Sequence, residues 1–330
     1  MIIVDPGMAV AVQDSGRFGL RRFGVPVAGA LDPMLLACAN ALLGNASDAA
    51  GLELLVSGPT LAAGEDSVAV ALAGDVTAQR ISADGSATPV KPWTAIVLAA
   101  GERIKIGPPR RGIAYLAVSG GIRTSPMLGS RSTYRRAGLG GFLEKGGELP
   151  CSAPGALHQG KDRRWEDGPI RVLAGPQDDH FLPESLEALE RGPFKVGPAS
   201  DRMGLRLSGP ALAHNEKGAE IPTDGVVPGV IQVPGDGQPI VLLADGQTTG
   251  GYAKIATVIG ADLPRLGHLR PGDEVRFRFV TRDEARQALK DRQADFARWR
   301  ANLSGAAGEI DKEALYRANL ISGAVSGRDE

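Results

Sequence analysis

Cysteine and histidine are scarce in this chain of 330 residues, and their positions argue against two kinds of site. The two cysteines, Cys38 and Cys151, are too few for the disulfide framework of a small secreted protein, and they lack the paired spacing of a zinc site. The four histidines lie far apart in the sequence and show no metal-ligand spacing. We therefore expect no metal site in this chain alone.

Long apolar runs and an excess of one charge are also missing. No run of 18 apolar residues and no leader with a charged start and an apolar centre occurs, so the sequence predicts a cytoplasmic chain without a membrane partner. Lysine and arginine number 37 against 38 acidic residues, which gives a formal net charge of −1. Because nucleic-acid binding needs a concentrated basic surface, we expect no nucleic acid as a partner.

Glycine and proline, by contrast, are abundant, with 45 and 23 residues, and they separate short runs rich in β-branched side chains. This pattern is typical of strands joined by turns. Strands are predicted at residues 52–56, 67–73, 94–99, 102–106 and 113–119, and again at 226–227, 230–233, 240–244 and 255–259. The sequence therefore predicts a mainly β protein with a few helices.

The helices are predicted from their start signals. Asp32 followed by Pro33 is typical of a helix start, and apolar residues continue to about residue 43. Thr281 begins a capping box, and Asp311 can begin a last helix. We therefore expect an N-terminal β unit at 1–160, a second β unit at 170–280 and a C-terminal helical tail at 281–330.

Polar side chains interrupt the short strands of the second unit at positions where a core does not need them. Polar groups at strand ends are typical of a small-molecule site carried on a rigid sheet, although Asp-Gly pairs also form ordinary hairpin turns. These polar residues are Gln232, Asp236, Gln238, Asp245, Gln247, Thr248, Thr249 and Lys254.

Further candidates lie in polar loops and in the first helix. Arg17 can bind a carboxylate or another anionic ligand, or Asp14 and Arg17 can pair with each other or with the backbone. Asn40 interrupts an apolar helix, so it needs hydrogen-bond partners in a supporting loop or on a ligand, and support is the favoured interpretation. Arg202 follows an aspartate in a second polar loop, and Arg131 and Tyr134 lie in a loop rich in glycine and serine.

Two long phrases carry a family resemblance. They are residues 220–239, EIPTDGVVPGVIQVPGDGQP, and residues 243–258, LADGQTTGGYAKIATV. Shorter phrases at 12–19, 24–32 and 39–45 agree with them. Together they resemble the biotin-dependent carboxyltransferase family, which includes KipA-like proteins, the C subunit of 5-oxoprolinase and allophanate hydrolase subunit 2.

The resemblance implies two cyclophilin-like β-barrel subdomains and a subunit of a hetero-oligomeric enzyme that acts on a small amide or lactam. One implied activity is that of 5-oxoprolinase, which opens 5-oxoproline to glutamate at the expense of ATP. The other is biotin-dependent carboxyl transfer to a urea-like amide. A KipA-like regulatory subunit that antagonises a kinase inhibitor and an allophanate hydrolase subunit are the alternatives.

The resemblance also implies partners. The chain has no biotin-attachment motif and no phosphate-binding P-loop, so we expect it to bind no cofactor alone and to receive carboxybiotin or ATP through partner subunits. The implied partners are a KipI-like sister subunit, which is the B subunit of 5-oxoprolinase or allophanate hydrolase subunit 1, and a third ATP-handling subunit or biotin carrier.

Roles for the candidate residues follow from this chemistry, which needs a base near the nitrogen and donors for a developing oxyanion. Asp236 or Asp245 is the expected base, and Lys254 is expected to bind a carboxylate or carboxybiotin oxygen. The expected substrate-binding residues are Asp14, Arg17, Asn40, Arg131, Tyr134, Arg202, Gln232, Gln247 and Thr248.

Overall fold

The structure is a computed structural model that describes residues 1–163, 165 and 167–306. Within these residues the chain forms two eight-stranded sheets, two ribbons of two strands each, and four α-helices. The strands of the first half are β1 (Ile2–Asp5), β2 (Met8–Gln13), β3 (Gly51–Ser57), β4 (Thr60–Ala62), β5 (Val68–Ile81), β6 (Ala87–Val90), β7 (Ile96–Leu98), β8 (Arg103–Val118) and β9 (His158–Gln159).

The second half contributes the remaining strands and most of the helices. The strands are β10 (Ile170–Ala174), β11 (Phe194–Val196), β12 (Gly204–Ser208), β13 (Glu220–Gly225), β14 (Val230–Gln232), β15 (Ile240–Leu242), β16 (Thr249–Tyr252), β17 (Lys254–Val258), β18 (Glu274–Val275), β19 (Phe277–Phe279) and β20 (Ser304–Gly305). The helices of the whole chain are α1 (Pro33–Leu42), α2 (Pro183–Arg191), α3 (Leu263–Gly267) and α4 (Arg282–Ala301).

The first sheet is built around β8, which pairs with β4 and β3 along one edge and with β5 along the other. The prediction of two separate strands at 102–106 and 113–119 is wrong, because both lie within β8. The glycines and prolines between them do not end the strand. They lie opposite three register shifts in the pairing with β5, and such bulges bend a strand and increase its twist.

The two faces of this sheet separate two groups of core residues. Leu52, Leu54 and Leu116 point into the core enclosed by the curled sheet, whereas Tyr115 and Ala117 point to the opposite face. This alternation follows from the two-residue period of a strand. Helix α1 covers the opposite face, and it contacts both β5 and β8.

The second sheet has the strand order β18-β11-β12-β15-β14-β17-β10-β19 and encloses a separate core that includes Phe194, Ile231 and Phe277. The prediction of a strand at 226–227 is wrong, because β13 ends at Gly225 and β14 begins at Val230. The intervening Pro228 has no N–H to donate, and Gly229 adopts a φ of 92°, so the chain turns there.

Helix starts agree with the predictions. Asp32 accepts a hydrogen bond from the Leu35 N–H at 3.0 Å, and Thr281 forms the predicted capping box with Glu284 at the start of α4. The helix predicted to start at Asp311 lies outside the described residues. The prediction of a mainly β fold with a few helices is confirmed. Within the described residues no helix has both the length and the apolar character of a membrane span.

Two groups of contacts fasten the halves together. On one side, residues 25–30 lie between the polar loop at 14–17 and the second sheet, and the Ala28 N–H donates to the Ala244 carbonyl at 2.9 Å. On the other side, the buried Asp32 carboxylate accepts from His268 Nε2 at 2.9 Å and from Trp165 Nε1 at 3.0 Å. The Ile113 N–H donates to His268 Nδ1 at 3.2 Å, which fixes the ring between the halves.

Candidate functional site

A buried ionic cluster crosses the boundary between the two sheets, and we call Glu53, Arg202 and Asp245 the Arg202 cluster. Arg202 Nε and Nη2 donate to the two oxygens of Asp245 at 3.0 and 2.8 Å, and Nη1 donates to Glu53 on β3. The Tyr115 hydroxyl donates to the second oxygen of Glu53 at 2.5 Å. One guanidinium therefore joins a carboxylate of the first half to a carboxylate of the second.

The charges of this cluster depend on one another. Burial raises the pKa of the Asp245 carboxyl above its ordinary value, although the Arg202 guanidinium acts in the opposite direction. Desolvation disfavours the charged guanidinium, but Glu53 and Asp245 together raise the pKa of Arg202. The structure therefore places Asp245, a predicted base, and Arg202, a predicted substrate ligand, in a bidentate ion pair at the boundary between the halves.

A second polar group lies where β14 and β17 pair at their ends. Gln232 and Lys254 are directly opposite each other in this pairing, and both side chains are 2% exposed. Lys254 Nζ donates to the Asp224 carboxylate at 2.5 Å, on the arm formed by β13 and β16. This contact lowers the pKa of Asp224, whose side chain is exposed to solvent. The structure thus places an ammonium and a carboxylate together at the end of the second sheet.

Gln247 connects this group to the first half of the chain. Its side-chain amide donates to Gln232 Oε1 at 3.4 Å, and its backbone carbonyl accepts from Arg21 Nη2 at 3.0 Å. Arg21 also donates to the Val226 carbonyl. Two buried donors of this group, Gln232 Nε2 and Arg21 Nη1, have no partner within the described residues. Buried donors without partners are rare in folded proteins, so these two donors make this polar group a candidate site for a ligand oxygen.

Gly250 of β16 keeps the Gln232 amide in position. A Cβ at Gly250 would lie 2.4 Å from Gln232 Nε2, closer than nonbonded atoms approach. The glycine therefore allows the arm to lie directly over the amide. We refer to Arg21, Asp224, Gln232, Gln247 and Lys254 as the amide site.

Asp14 and Arg17 brace a neighbouring loop. Asp14 accepts from the hydroxyls of Ser130 and Ser132 at 2.5 and 2.6 Å and from the Arg131 N–H at 2.6 Å. Arg17 is 1% exposed, and its Nη2 donates to the Ser132 carbonyl at 2.6 Å. Within the described residues Asp14 and Arg17 do not form an ion pair with each other. Both side chains instead hold the loop at 127–132.

The brace predicts a pH dependence of stability. Burial alone would raise the pKa of Asp14, but hydrogen bonds from Ser130 and Ser132 hold it below the ordinary 3.8. A depressed carboxyl pKa stabilises the fold above that value and loses its contribution as the pH falls below it. Asp14→Asn is therefore expected to cost about 1–3 kcal/mol at neutral pH, measured by urea unfolding. The difference from wild type should shrink below pH 3.8, and an unchanged difference would contradict the role.

The other predicted site residues lie in supporting positions. Asn40 donates to the Ala49 carbonyl at 2.8 Å and accepts from Asn45 at 3.0 Å. Arg131 Nε donates to the Thr124 carbonyl at 2.8 Å. The remaining residues contribute backbone or turn contacts: Tyr134 pairs with Leu139, the Thr248 carbonyl accepts from Val226, and Asp236 accepts from the Gln238 N–H in an exposed turn.

Three residues of these two polar groups were missed by sequence reasoning. Asp224 lies in the longest family-like phrase, directly before a glycine, and such a pair by itself indicates a turn rather than a site. Arg21 begins an arginine pair in a loop between glycines, which was a usable signal. Glu53 lies in an otherwise apolar strand, and a carboxylate in such a strand indicates a buried partner.

Two clefts lie elsewhere on the chain. One of about 410 Å³ is lined by residues that include Asp32, Arg163, Arg171, Asp262 and Arg292, and a second of about 760 Å³ continues past Trp165 and His268. These three arginines are already paired with Asp295, Asp262 and Asp32, respectively. Neither cleft is lined by the amide site. The arginine charges of the smaller cleft are thus satisfied within the fold. We therefore place the candidate site at the unpartnered donors Gln232 Nε2 and Arg21 Nη1.

Comparison with known proteins gives two relatives of nearly the same length, both named as the C subunit of 5-oxoprolinase. The chain is 37% identical over 310 residues to the one from Escherichia coli, covering 90% of this chain and 97% of the relative. It is 35% identical over 296 residues to the one from Haemophilus influenzae, covering 86% and 92%. Both relatives are therefore parts of a multi-subunit enzyme.

Solved structures show the same fold inside longer chains. The K. lactis urea amidolyase matches 94% of this chain with a TM-score of 0.82 and 26% identity, and the match spans 20% of that protein. TTHA0988 matches 84% of this chain with a TM-score of 0.74 and 34% identity, and the match spans 55% of it.

The family model described as the carboxyltransferase domain, subdomain A and B, matches residues 23–279. This match covers most of both sheets, and it agrees with the relatives named above. The prediction of an enzyme subunit from this family is confirmed. The chain belongs to the carboxyltransferase-domain family and carries its subdomains A and B.

Proposed function

We propose that this chain is the C subunit of a 5-oxoprolinase and binds the lactam of 5-oxoproline at the amide site. The observation that carries the proposal is that two buried donors of this site, Gln232 Nε2 and Arg21 Nη1, have no partner within the described residues and lie in the same polar group as the buried Lys254 ammonium. The identity with two proteins that bear the name of this 5-oxoprolinase component supports the choice of substrate.

The donors suit the carbonyl oxygen of a lactam. Ring opening places negative charge on that oxygen, and donors fixed in a site without water stabilise such charge strongly. Gln232 is fixed by Gln247 and by the close approach of Gly250, and Arg21 is fixed by two backbone carbonyls. These donors therefore need little rearrangement when the substrate binds.

Lys254 and Asp224 suit the other end of the reacting amide. Lys254 uses one of its three N–H donors on Asp224 within the described residues, so the others can hold a substrate carboxylate. Hydrogen bonding from Lys254 lowers the pKa of Asp224, and its exposed carboxylate can accept a hydrogen bond from the lactam N–H. We assign anion binding to Lys254 and orientation of the lactam N–H to Asp224.

In this proposal a partner subunit, and not this chain, supplies the energy for ring opening. ATP would be used by a third subunit, and a KipI-like sister subunit would complete the enzyme. The residues described here bind and orient the lactam and stabilise charge on it. Lys254, Gln232 and Arg21 are donors that also suit a carboxyl or phosphoryl group delivered by a partner.

The proposal is tested with Gln232→Leu in the assembled enzyme. The variant keeps the side-chain volume but removes the amide donor, so kcat/KM for ATP-dependent release of glutamate from 5-oxoproline should fall about tenfold to hundredfold. The matched control is Gln79→Leu, an exposed glutamine on β5. Equal activity of the Gln232 variant and wild type would remove the amide site from the mechanism.

Biotin-dependent carboxyl transfer to a urea-like amide is the second candidate. The observation that favours it is the structural match to K. lactis urea amidolyase over 94% of this chain. The same donors would hold the amide oxygen, and Asp224 would accept a hydrogen bond from the amide N–H. Biotin-dependent carboxylation of urea by the assembled enzyme, without glutamate release from 5-oxoproline, would select this activity.

A further inference from the structure

An exposed apolar surface lies beside the amide site, on two loops at residues 15–24 and 123–143. Phe18 is 72% exposed, Phe23 is 66% exposed and Leu128 is 54% exposed. Soluble proteins rarely gather large apolar side chains in solvent unless the surface binds something. We call this surface the loop face, and its apolar members are Phe18, Phe23, Met127, Leu128, Phe142 and the neighbouring Val227.

The loop face is also strongly basic. The two loops contain seven arginines and no aspartate or glutamate, in a chain whose net charge is −1, and six of the seven are at least partly exposed. Within the described residues only Arg136 among the seven forms an ion pair, at 3.5 Å with Asp201. Arg22 and Arg135 instead lie over the rings of Phe23 and Phe142. Aromatic rings and unpaired guanidinium groups together are typical of the anchors of protein interfaces.

The face is held rigidly from beneath. The Asp14 and Arg17 brace fixes the loop at 127–132, and the Gly140 N–H donates to Met127 Sδ at 3.2 Å. Leu128 has a φ of 53°, a left-handed conformation that residues other than glycine rarely adopt. A preformed surface binds with a smaller loss of conformational entropy than a flexible one, so this rigidity favours docking.

Arg21 connects the face to the amide site. It lies in the same loop as Phe18 and Phe23, and its guanidinium contacts the carbonyls of Val226 and Gln247. A molecule bound on the loop face would therefore lie against the wall of the amide site. It would be placed to deliver a reactive group or to close the site from water.

We propose that the loop face docks a second protein of the same enzyme, which presents apolar pockets rimmed by carboxylates. This inference rests on the proposed function, because it takes the amide site as the place of reaction. Charge complementarity argues for an acidic partner, and the exposed rings argue for a protein surface. In TTHA0988 the match to this chain spans 55% of the polypeptide, so that relative carries substantial further sequence on the same chain.

The test uses the full chain with its partner. The tagged wild-type chain is purified from its own host, the bound protein is identified by mass spectrometry, and the two purified proteins are titrated by calorimetry. Phe18→Ser with Phe23→Ser is expected to weaken binding by at least about a hundredfold, as loss of interface anchors does. The melting temperature should stay unchanged, because both rings are exposed.

The control pair is Met8→Ser with Val56→Ser. These side chains are 63% and 49% exposed and lie on β2 and β3, away from the two loops. The control should bind like wild type. A second variant, Arg22→Glu with Arg135→Glu, should weaken binding without removing an apolar group, and added salt should weaken binding of the wild type.

The outcomes separate docking from catalysis. Equal binding by the Phe18 and Phe23 variant and the control, purification of the wild type alone, a homodimer broken by the variant, or retained nucleic acid would each overturn the proposal. Gln232→Leu should keep partner binding while losing turnover. If the wild-type pair binds through the loop face but shows no turnover in the assembled enzyme, the docking surface stands and the proposed function fails.

Discussion

Replacing Arg202 with methionine is expected to lower the free energy of unfolding by about 3–5 kcal/mol, which is the usual cost of removing one partner from a buried ion pair. Methionine fills most of the volume but leaves Glu53 and Asp245 buried without a counter-charge. It also removes the donor to the Gly29 carbonyl, at 2.7 Å. Urea unfolding followed by circular dichroism measures the loss.

Arg206→Met is the matched control for this experiment. Arg206 lies on β12, four residues away, and its side chain is exposed. The control should unfold within about 0.5 kcal/mol of wild type, as most surface substitutions do. A similar free energy of unfolding for both variants would show that the Arg202 cluster does not hold the halves together.

Replacing Lys254 with methionine is expected to have the opposite pattern, with activity lost and stability kept. The ammonium is 2% exposed, and its partner Asp224 is exposed, so the carboxylate left behind remains solvated. Removing one partner of an ion pair is costly when it leaves a buried charge uncompensated, and here the charge that remains is in solvent. Loss of a preorganised cation should lower kcat/KM by about 10²–10³.

The measurement pairs turnover of the assembled enzyme with the urea midpoint of the isolated chain. Lys195→Met, an exposed lysine on β11, is the control and should change neither quantity. Lys254→Met with full turnover and a lowered midpoint would make Lys254 a structural residue. A lysine that adds no stability but is needed for turnover has the thermodynamic behaviour of a functional position.

Local chemistry explains what the sequence predicted well. The start of α1 depends on Asp32 and Pro33, and the start of α4 depends on a capping box, so both are determined within four residues. The strands β14, β15 and β17 are bounded by glycine and proline turns. The prediction of two strands in place of β8 was wrong because the glycines and prolines there lie at bulges in the pairing with β5 and do not form a turn. That pairing depends on a strand outside the local sequence.

The same limit applies to the site. Asp245, Gln232 and Lys254 were identified from their positions at strand ends, but their partners are distant in sequence. Arg202 is 149 residues from Glu53, and Lys254 is 30 residues from Asp224. No local spacing signals such contacts. Sequence reasoning therefore found polar side chains without showing that Asp245 is held in an ion pair and that Gln232 has an unused donor.

The two fastenings between the halves decide which motions are available to this protein. A hinge that opened the boundary would separate Arg202 from Glu53 at one place and Asp32 from His268 at another. Each separation would expose a buried charge or leave it without its partner. Rotation of one sheet away from the other as a rigid body is therefore strongly unfavourable. Motion beside the amide site is instead expected in the arm of β13 and β16, where Ile221 packs against the second core but no residue of either strand is fully buried.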